Sequence, residues 1–354
     1  MLEENPKASV PFQYIIDALL DKKQSFPPKY LARFSDLKPE ELRMVAEAWT
    51  QIELKKRLSL LKDLEEYADS DTLVCYDELG RFALKDPDAP VKIQAMKLLK
   101  ECEDAHLIPD LLRTLKTDED ESVRSAAAFA LGNFVYLGEL DEIPARKLEE
   151  IEETLLEILT EGNSDQVRKR ALEAMGFSSR EEMSAIINNA YLSSDHEWKL
   201  SAMFAMGRSA DNRWEKIVLK HLRDSDSEMQ LEAVRAAGAL ELTSAKDTLI
   251  ELLEQADDLD IDVKDIAIWS ISQIGGENVR EALVSLMESA ETEEDEEYIN
   301  SALENLDLTE GLGGFDLMDI SYPDDINDGE DDLTDDVTDN FFDDDAEDTE
   351  FEED

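Results

Sequence analysis

The apolar residues of this chain recur at helical spacing in a unit that repeats along most of its length. In one copy, residues 118–132, an acidic turn is followed by Ser, Val and Arg, and then by an Ala-rich segment that ends at Gly132. Equivalent units follow one another at spacings of 32, 44, 31, 31, 34 and 35 residues. Their aligned anchor residues are Val91, Val123, Val167, Trp198, Met229, Val263 and Tyr298. Periods of this size predict stacked helix pairs.

Alanine stands four residues after every anchor. These residues are Ala95, Ala127, Ala171, Ala202, Ala233, Ala267 and Ala302. A small side chain on the inward face of a helix lets the next helix pack closely, and Ala is also the best helix former. The alanines therefore predict the buried contact face of the second helix in each pair.

Two polar positions accompany each anchor. Three residues before it, a side chain suited to capping the helix N-terminus is expected at Asp88, Asp120, Ser164, Asp195, Asp226, Asp260 and Asp295. One residue after it stand Lys92, Arg124, Arg168, Lys199, Gln230, Lys264 and Ile299. We expect the basic side chains of this column to pair with the turn aspartates of neighbouring repeats.

An acidic turn followed by Val-Arg and an Ala-rich helix that closes at Gly resembles the HEAT-repeat family, in particular its short bacterial form, the phycobilisome-lyase HEAT-like repeats. The resemblance covers roughly residues 70–306. It implies an all-α fold, an α-solenoid of HEAT-like helix pairs whose second helices line the concave surface. Gln230 and Ile299 depart from the Arg/Lys column of the family pattern. Because one fold can carry many different functional sites, the resemblance implies no particular activity.

The pattern divides the chain into three parts. Residues 1–68 lack the Ala column and are predicted to form a helical N-terminal cap, residues 69–306 the HEAT-like repeat solenoid, and residues 307–354 a disordered acidic C-terminal tail. Gly311 and the glycines after it are expected to end the last helix. The 44-residue spacing predicts an inserted loop near residues 137–148. Aromatic islands at residues 315–322 and 341–342 interrupt the acidic tail.

The charge of the chain limits the classes of partner that we expect it to bind. The formal net charge is −53, and the 48 residues of the tail hold 22 of the 88 Asp and Glu residues with no Lys, Arg or His. This charge argues against nucleic acid, whose phosphates bind Lys and Arg, and favours a basic protein as partner. No apolar run is long enough for a membrane helix. Cys75 and Cys102 fall in helical patterns and are expected to be buried, reduced thiols, so we expect a soluble cytoplasmic protein.

The sequence offers little for catalysis. His106, His196 and His221 lie in different repeats with no Cys or His at metal-ligand spacing. Neither a Gly-rich phosphate loop nor a nucleophile elbow is present. Residues 324–335 lack the third and final ligands of a calcium-binding hand. We therefore expect no catalytic residues, no metal site and no cofactor.

The second helices carry an unexpected apolar stripe. Positions two and six residues after each anchor lie nearly opposite the buried face, where polar residues are expected. Six of these positions are instead apolar, and others carry a basic side chain. We predict that the six apolar residues and two of the basic ones bind a partner: Ile93, Lys97, Phe129, Leu200, Phe204, Leu231, Arg235 and Trp269. The alternative is that tight curvature buries these side chains between adjacent second helices.

These patterns favour a non-catalytic scaffold or adaptor that binds a helix or peptide of another protein in its concave groove, with the acidic tail modulating access. The main alternative is a chaperone or escort of a basic protein, motivated by the net charge. A further alternative, implied only by the family resemblance, is lyase-like attachment of a phycobilin. The sequence does not name the partner, and the oligomeric state is unknown.

Overall fold

The computed structural model of the chain describes residues 10–160, 162–254, 259–290 and 292–316, with the backbone alone for residues 312–316. Within these ranges every regular element is a helix, as the sequence predicts. The α-helices are α1 (Phe12–Leu20), α2 (Pro39–Trp49), α3 (Leu54–Ser70), α4 (Asp77–Ala83), α5 (Ala89–Leu98), α6 (Ile108–Thr117), α7 (Glu121–Glu139), α8 (Ala145–Thr160), α9 (Asp165–Ala174), α10 (Met183–Tyr191), α11 (His196–Arg208), α12 (Glu215–His221), α13 (Ser227–Ala239), α14 (Lys246–Glu254), α15 (Ile261–Ile274), α16 (Val279–Glu288) and α17 (Glu293–Asp316). Short 3₁₀ turns precede several of them.

The helices from α4 onward form antiparallel pairs that stack into a solenoid. The second helices of the pairs, α5 to α17 in odd numbers, pack on one another extensively, whereas first helices contact the next first helix much less. Because the row of second helices is the more closely packed, the array curves with these helices on its inner side. This is the arrangement that the repeat pattern implies.

The predicted contact face is confirmed. Every alanine of the column has no exposed surface: Ala95, Ala127, Ala171, Ala202, Ala233, Ala267 and Ala302. Glycine brings neighbouring second helices closer still. A Cβ atom added to Gly207 of α11 would lie 2.9 Å from the Cα atom of Ala236 in α13, so these two backbones approach to a distance that only glycine permits.

The helix caps follow the sequence at five of the seven predicted positions. The side chains of Asp120, Ser164, Asp195, Asp226 and Asp260 each accept a backbone N–H of the helix that follows. Asp88 stands at the N-cap of α5 but its carboxylate binds Arg57 instead. In α17 the cap prediction was wrong by three residues, because Thr292 rather than Asp295 receives a backbone N–H there.

The side chains of the Arg/Lys column make their contacts mainly within their own repeat. Lys92 pairs with Asp118 in the turn of the next repeat, as predicted. Arg124, in contrast, donates to the backbone carbonyls of Asp118 and Glu119 at the end of its own pair's first helix, and Arg168 and Gln230 do the same at Leu159 and Leu222. A cationic or amide donor satisfies carbonyls that the first helix leaves unpaired. The predicted pairing between repeats is therefore wrong for Arg124 and Arg168, and none was predicted for Gln230.

The N-terminal cap is fastened to the first repeat by a buried polar contact. Asp86, whose side chain is fully buried in the turn between α4 and α5, accepts from Trp49 Nε1 at 2.5 Å and from Arg57 of α3. Arg57 also reaches Asp88 at 2.7 Å. The predicted end of the cap at residue 68 falls within the last turn of α3.

Three expectations differ from the structure. The segment predicted as an inserted loop is largely helical, because α7 continues to Glu139 and α8 begins at Ala145. Cys75 is exposed and Cys102 buried, and both lie in turns between helices. Helix α17 continues through Gly311 to Asp316, and Arg280 of α16 binds Glu310 of this helix at 3.0 Å. The rest of the predicted tail, residues 317–354, lies outside the described residues.

Candidate functional site

A groove of about 920 Å³ opens on the inner row of helices, between α5, α7 and α9. Its floor is formed largely by apolar side chains, with polar, basic and acidic side chains among them, the acidic ones being Glu65 and Glu101. The lining includes Ile93, Met96, Lys97, Lys100, Phe129, Asn133, Tyr136, Arg170, Phe177 and Arg208. A second depression of about 510 Å³ continues from it between α11 and α13, and shares Tyr136, Phe177 and Arg208 with the first. The two form one continuous surface.

Arg208 stands at the centre of this surface, at the C-terminal end of α11. Its guanidinium carbon lies 4.4 Å from the ring centroid of Phe204, 4.7 Å from that of Phe177 and 4.9 Å from that of Phe129. The rings of Phe129 and Phe204 are themselves 6.0 Å apart. Such distances are within the range of cation–π attraction, which strengthens where water is excluded.

Two more guanidinium groups flank the same rings. Arg170 of α9 lies 5.4 Å from the ring centroid of Phe129, and Arg235 of α13 lies 5.8 Å from that of Phe204. We refer to Arg170, Arg208 and Arg235, together with Phe129, Phe177 and Phe204, as the arginine cluster. Its members come from four consecutive repeats, those of α7, α9, α11 and α13, so only the stacked solenoid assembles it.

Backbone packing makes room for Arg208 to reach across the repeats. Its Nη1 donates to the backbone carbonyl of Glu173 in α9 at 3.0 Å. A Cβ atom on Gly132 of α7 would lie 3.1 Å from the same nitrogen, so glycine leaves the space that the guanidinium group uses. The side chain therefore connects α11 to both preceding repeats.

The electrostatics of the cluster are asymmetric. Arg170 binds the buried carboxylate of Glu173 at 2.5 Å, which also accepts from Ser201 Oγ at 2.7 Å, and Arg235 binds Glu232. Within the described part of the chain no carboxylate forms a salt bridge with Arg208. Burial away from water lowers the pKa of Arg208 to about 10; Glu173 and Glu232 oppose this shift, whereas Arg170 and Arg235 act in the same direction as burial. Burial likewise raises the pKa of Glu232. The cluster therefore holds three guanidinium groups and two carboxylates, and among the described residues Arg208 is the guanidinium group that has no salt bridge.

The structure brings together five of the eight side chains predicted to bind a partner. Ile93, Lys97 and Phe129 line the larger groove, while Phe204 and Arg235 line the smaller depression. Phe129 keeps 37% of its surface exposed. The other three, Leu200, Leu231 and Trp269, line neither opening. Leu200 and Leu231 are half-buried against the core, as the alternative of packing between helices implies, and Trp269 is exposed on α15.

The sequence pattern missed the centre of the site. Arg208 and Arg170 were not singled out, nor were Phe177, in the 3₁₀ turn after α9, or Tyr136, in the extended last turns of α7. One signal was available: Arg208 directly follows Gly207, the glycine that closes its repeat. From this position the long basic side chain of Arg208 reaches the second helices of the two preceding repeats.

A group of polar side chains on the opposite part of the repeat carries no site. His196 Nε2 lies 3.1 Å from Glu228 Oε2 and 3.4 Å from Asp226 Oδ2, so the three offer ligand atoms within 4.8 Å of one another. They are not fully buried, and their mutual hydrogen bonds suffice to explain the proximity. Nothing else at this location points to a metal ion.

None of the helices in the described part of the chain has both the length and the apolar character needed to cross a bilayer. A comparison with curated proteins finds no match for this sequence.

Similar folds occur among solved structures. The complex of CpcE and CpcF of phycocyanin lyase from Nostoc sp. is 16% identical with a TM-score of 0.49, over 81% of this chain and 97% of that one. YibA of Escherichia coli is 17% identical with a TM-score of 0.37, over 80% and 98%. Human deoxyhypusine hydroxylase is 16% identical with a TM-score of 0.34, over 84% and 96%.

The family model for HEAT repeats matches residues 76–151 and 215–307. Arg170, Phe177, Phe204 and Arg208 of the arginine cluster lie between the two matched segments. The spacing of the units and their helix pairs agree with this match, and the chain contains HEAT repeats in these two segments.

Proposed function

We propose that this protein is a non-catalytic, cytoplasmic scaffold or adaptor that binds a helix or peptide of a partner protein in its inner groove, with the acidic tail modulating access. The observation that carries the proposal is the arginine cluster. Aromatic and arginine side chains are the residues most enriched at the centres of protein interfaces. Here they lie in a concave, partly exposed surface rather than inside the core.

The shape of the groove supports a peptide rather than a globular partner. It runs across three second helices and continues into the depression beside α13, so its length suits an extended segment or a short helix. An amphipathic helix presents its apolar face to such a groove. Lys97 and Lys100, at the edge beside α5, supply polar contacts around the apolar centre.

The test is affinity capture from an extract of the source cells, using the full chain as bait. A variant carrying Phe129→Ala and Phe204→Ala should lose the specific partner. A control variant, Leu192→Ala, removes a side chain that is 69% exposed but outside both openings, and it should retain the partner. A partner that all three baits retain would show that the groove is not the binding surface.

The net charge of −53 favours a second candidate, the escort of a basic protein. Such binding would use the acidic surface and would weaken steeply with salt, because exposed charges are screened beyond about 8 Å at physiological ionic strength. Retention of the partner in high salt would exclude this candidate. A third possibility, phycobilin attachment, would require a change in bilin absorbance on mixing; the fold likeness alone gives it no support.

A further inference from the structure

The arginine cluster is a local exception in a very acidic protein. Three guanidinium groups converge on Phe129 and Phe204, at distances of 4.4 to 5.8 Å from their ring centroids. Arg170 and Arg235 each have a glutamate partner, whereas Arg208 forms no salt bridge among the described residues: it donates to a backbone carbonyl and lies over aromatic rings, and Glu173 and Glu232 attract it without direct contact. A ligand with a carboxylate would pair with the guanidinium group of Arg208 in this partly buried site, where a charge-assisted hydrogen bond is stronger than in bulk water.

The rest of the lining specifies a second property of the ligand. Phe129, Tyr136 and Phe177 present aromatic surface beside the guanidinium group, and Tyr136 and Phe177 have ring centroids 5.1 Å apart. Apolar or aromatic side chains bury well on such a surface. The ligand that matches the arginine cluster therefore combines carboxylates with adjacent aromatic rings.

The chain contains such a segment. Residues 339–345 read Asp-Asn-Phe-Phe-Asp-Asp-Asp, so Phe341 and Phe342 stand side by side between carboxylates. We infer that this segment of the chain's own C-terminal tail occupies the arginine cluster. The inference rests on the proposed function of the groove, and it identifies the tail as the competitor that modulates access.

The length of the tail allows this contact. Neighbouring packed helices lie about 8–10 Å apart, so the inner row from α17 through α15 and α13 to α11 spans about 30 Å. Twenty-five residues, the number from Asp316 to Phe341, can extend over about 80 Å, and a random coil of this length spans about 25–30 Å on average. Phe341 can therefore reach Phe204 without strain.

The same argument excludes the other aromatic island, at residues 315–322. From Asp316 to Tyr322 the chain extends over only about 20 Å. This is too short to pass two intervening second helices and reach α11. The distance along the solenoid thus selects the second island over the first.

The experiment measures binding of a fluorescein-labelled peptide of residues 335–350 to the full chain by fluorescence anisotropy. A tethered segment acts at an effective concentration on the order of mM, so a segment that binds with a Kd of about 100 µM would weaken binding of the added peptide about tenfold. The variant with Phe341→Ala and Phe342→Ala should therefore bind the peptide about ten times more tightly than the unchanged chain. Phe315→Ala is the matched control and should behave as the unchanged chain.

Two further measurements locate the contact. Adding Arg170→Ala and Arg235→Ala to the Phe341→Ala, Phe342→Ala chain should abolish peptide binding, provided that circular dichroism shows an unchanged fold. A labelled peptide in which both phenylalanines are alanine should bind no variant, and this result does not depend on any change in the solenoid.

Equal affinity of the peptide for the unchanged chain and the Phe341→Ala, Phe342→Ala variant would overturn the inference. Tail-dependent dimers in light scattering would also overturn it, because they would place the tail in the groove of a second copy. Loss of partner capture with the Phe129→Ala, Phe204→Ala bait, combined with no peptide binding, would leave the proposed function standing while this inference fails. Binding of the peptide, combined with no partner whose capture depends on the groove, would leave this inference standing while the proposed function fails.

Discussion

The guanidinium group of Arg208 lies over the ring of Phe204, with its central carbon 4.4 Å from the ring centroid. Both side chains belong to α11, one turn apart, and both face the inner surface of the solenoid. Because Phe204 also contacts Phe129 of α7, the pair joins repeats that are not adjacent in sequence. This contact is the structural centre of the groove.

We expect Phe204→Ala to weaken partner binding by about 2 kcal/mol, or roughly thirtyfold, because truncation of a central aromatic anchor removes both buried area and a cation–π contact. Isothermal titration with the purified partner measures the effect. Leu73→Ala is the control, since Leu73 is 87% exposed and lies outside the groove. Equal affinities for the two variants would remove Phe204 from the binding surface.

Gly207→Ala should destabilise the solenoid. The new Cβ atom would lie 2.9 Å from the Cα atom of Ala236, and backbone atoms cannot move aside as a flexible side chain can. Overpacking costs about 1–3 kcal/mol, of which the better helix propensity of Ala recovers about 1. The urea midpoint of unfolding should fall.

The matched control is Gly311→Ala in α17, where an added Cβ atom has no neighbour within 4 Å. There the substitution should raise stability by up to about 1 kcal/mol, because Ala loses less backbone entropy than Gly in a helix. If both variants shifted the midpoint in the same direction, close approach at Gly207 would not be the deciding effect.

Asp86→Asn should loosen the N-terminal cap. The carboxylate of Asp86 is fully buried and binds both Arg57 and Trp49 Nε1, so its removal leaves a largely buried guanidinium group short of a partner. Breaking a buried ion pair from one side costs about 3 kcal/mol. Hydrogen exchange should show faster opening of α2 and α3 than of α11 and α13.

An exposed ion pair provides the comparison for this prediction. Glu40 and Arg43 lie 3.9 Å apart with side chains more than two-thirds exposed, so Glu40→Gln should change stability by less than about 1 kcal/mol. A similar loss in both variants would indicate that burial of Asp86 contributes nothing.

Glu232 gives the solenoid a specific pH dependence. Burial raises its pKa above 4.5, and one of its carboxylate oxygens has no hydrogen-bond partner among the described residues. The folded state therefore holds the proton more tightly than the unfolded state. Stability from this group is fully present below pH 4.5 and is lost as the pH rises through the raised pKa.

Accordingly, the unchanged protein should lose stability relative to Glu232→Gln as the pH rises from about 4.5 to 7 in urea titrations. Glu281→Gln, at an exposed position, should instead follow the unchanged protein across this range. Parallel curves for all three proteins would show that Glu232 does not titrate differently in the folded state.

Local sequence determined much of the fold. The spacing of Ala127 after Val123, the capping Asp120 and their equivalents specify helices and buried faces, because these features depend on neighbours within one or two turns. The same periodicity placed Phe129 and Phe204 on the inner surface. It also included Leu200, Leu231 and Trp269 in the predicted site, because a helical wheel does not show the rotation of one helix relative to the next.

Tertiary structure alone decided the arginine cluster. Arg208 meets Phe129 across 79 positions of sequence only because glycine contacts such as Gly207 with Ala236 set the distance and rotation between repeats. The extension of α7 through Tyr136, whose ring meets that of Phe177 in the next repeat, likewise depends on contacts with other repeats. Sequence periodicity thus determined which faces are buried, whereas the packing of repeat on repeat determined which exposed side chains converge.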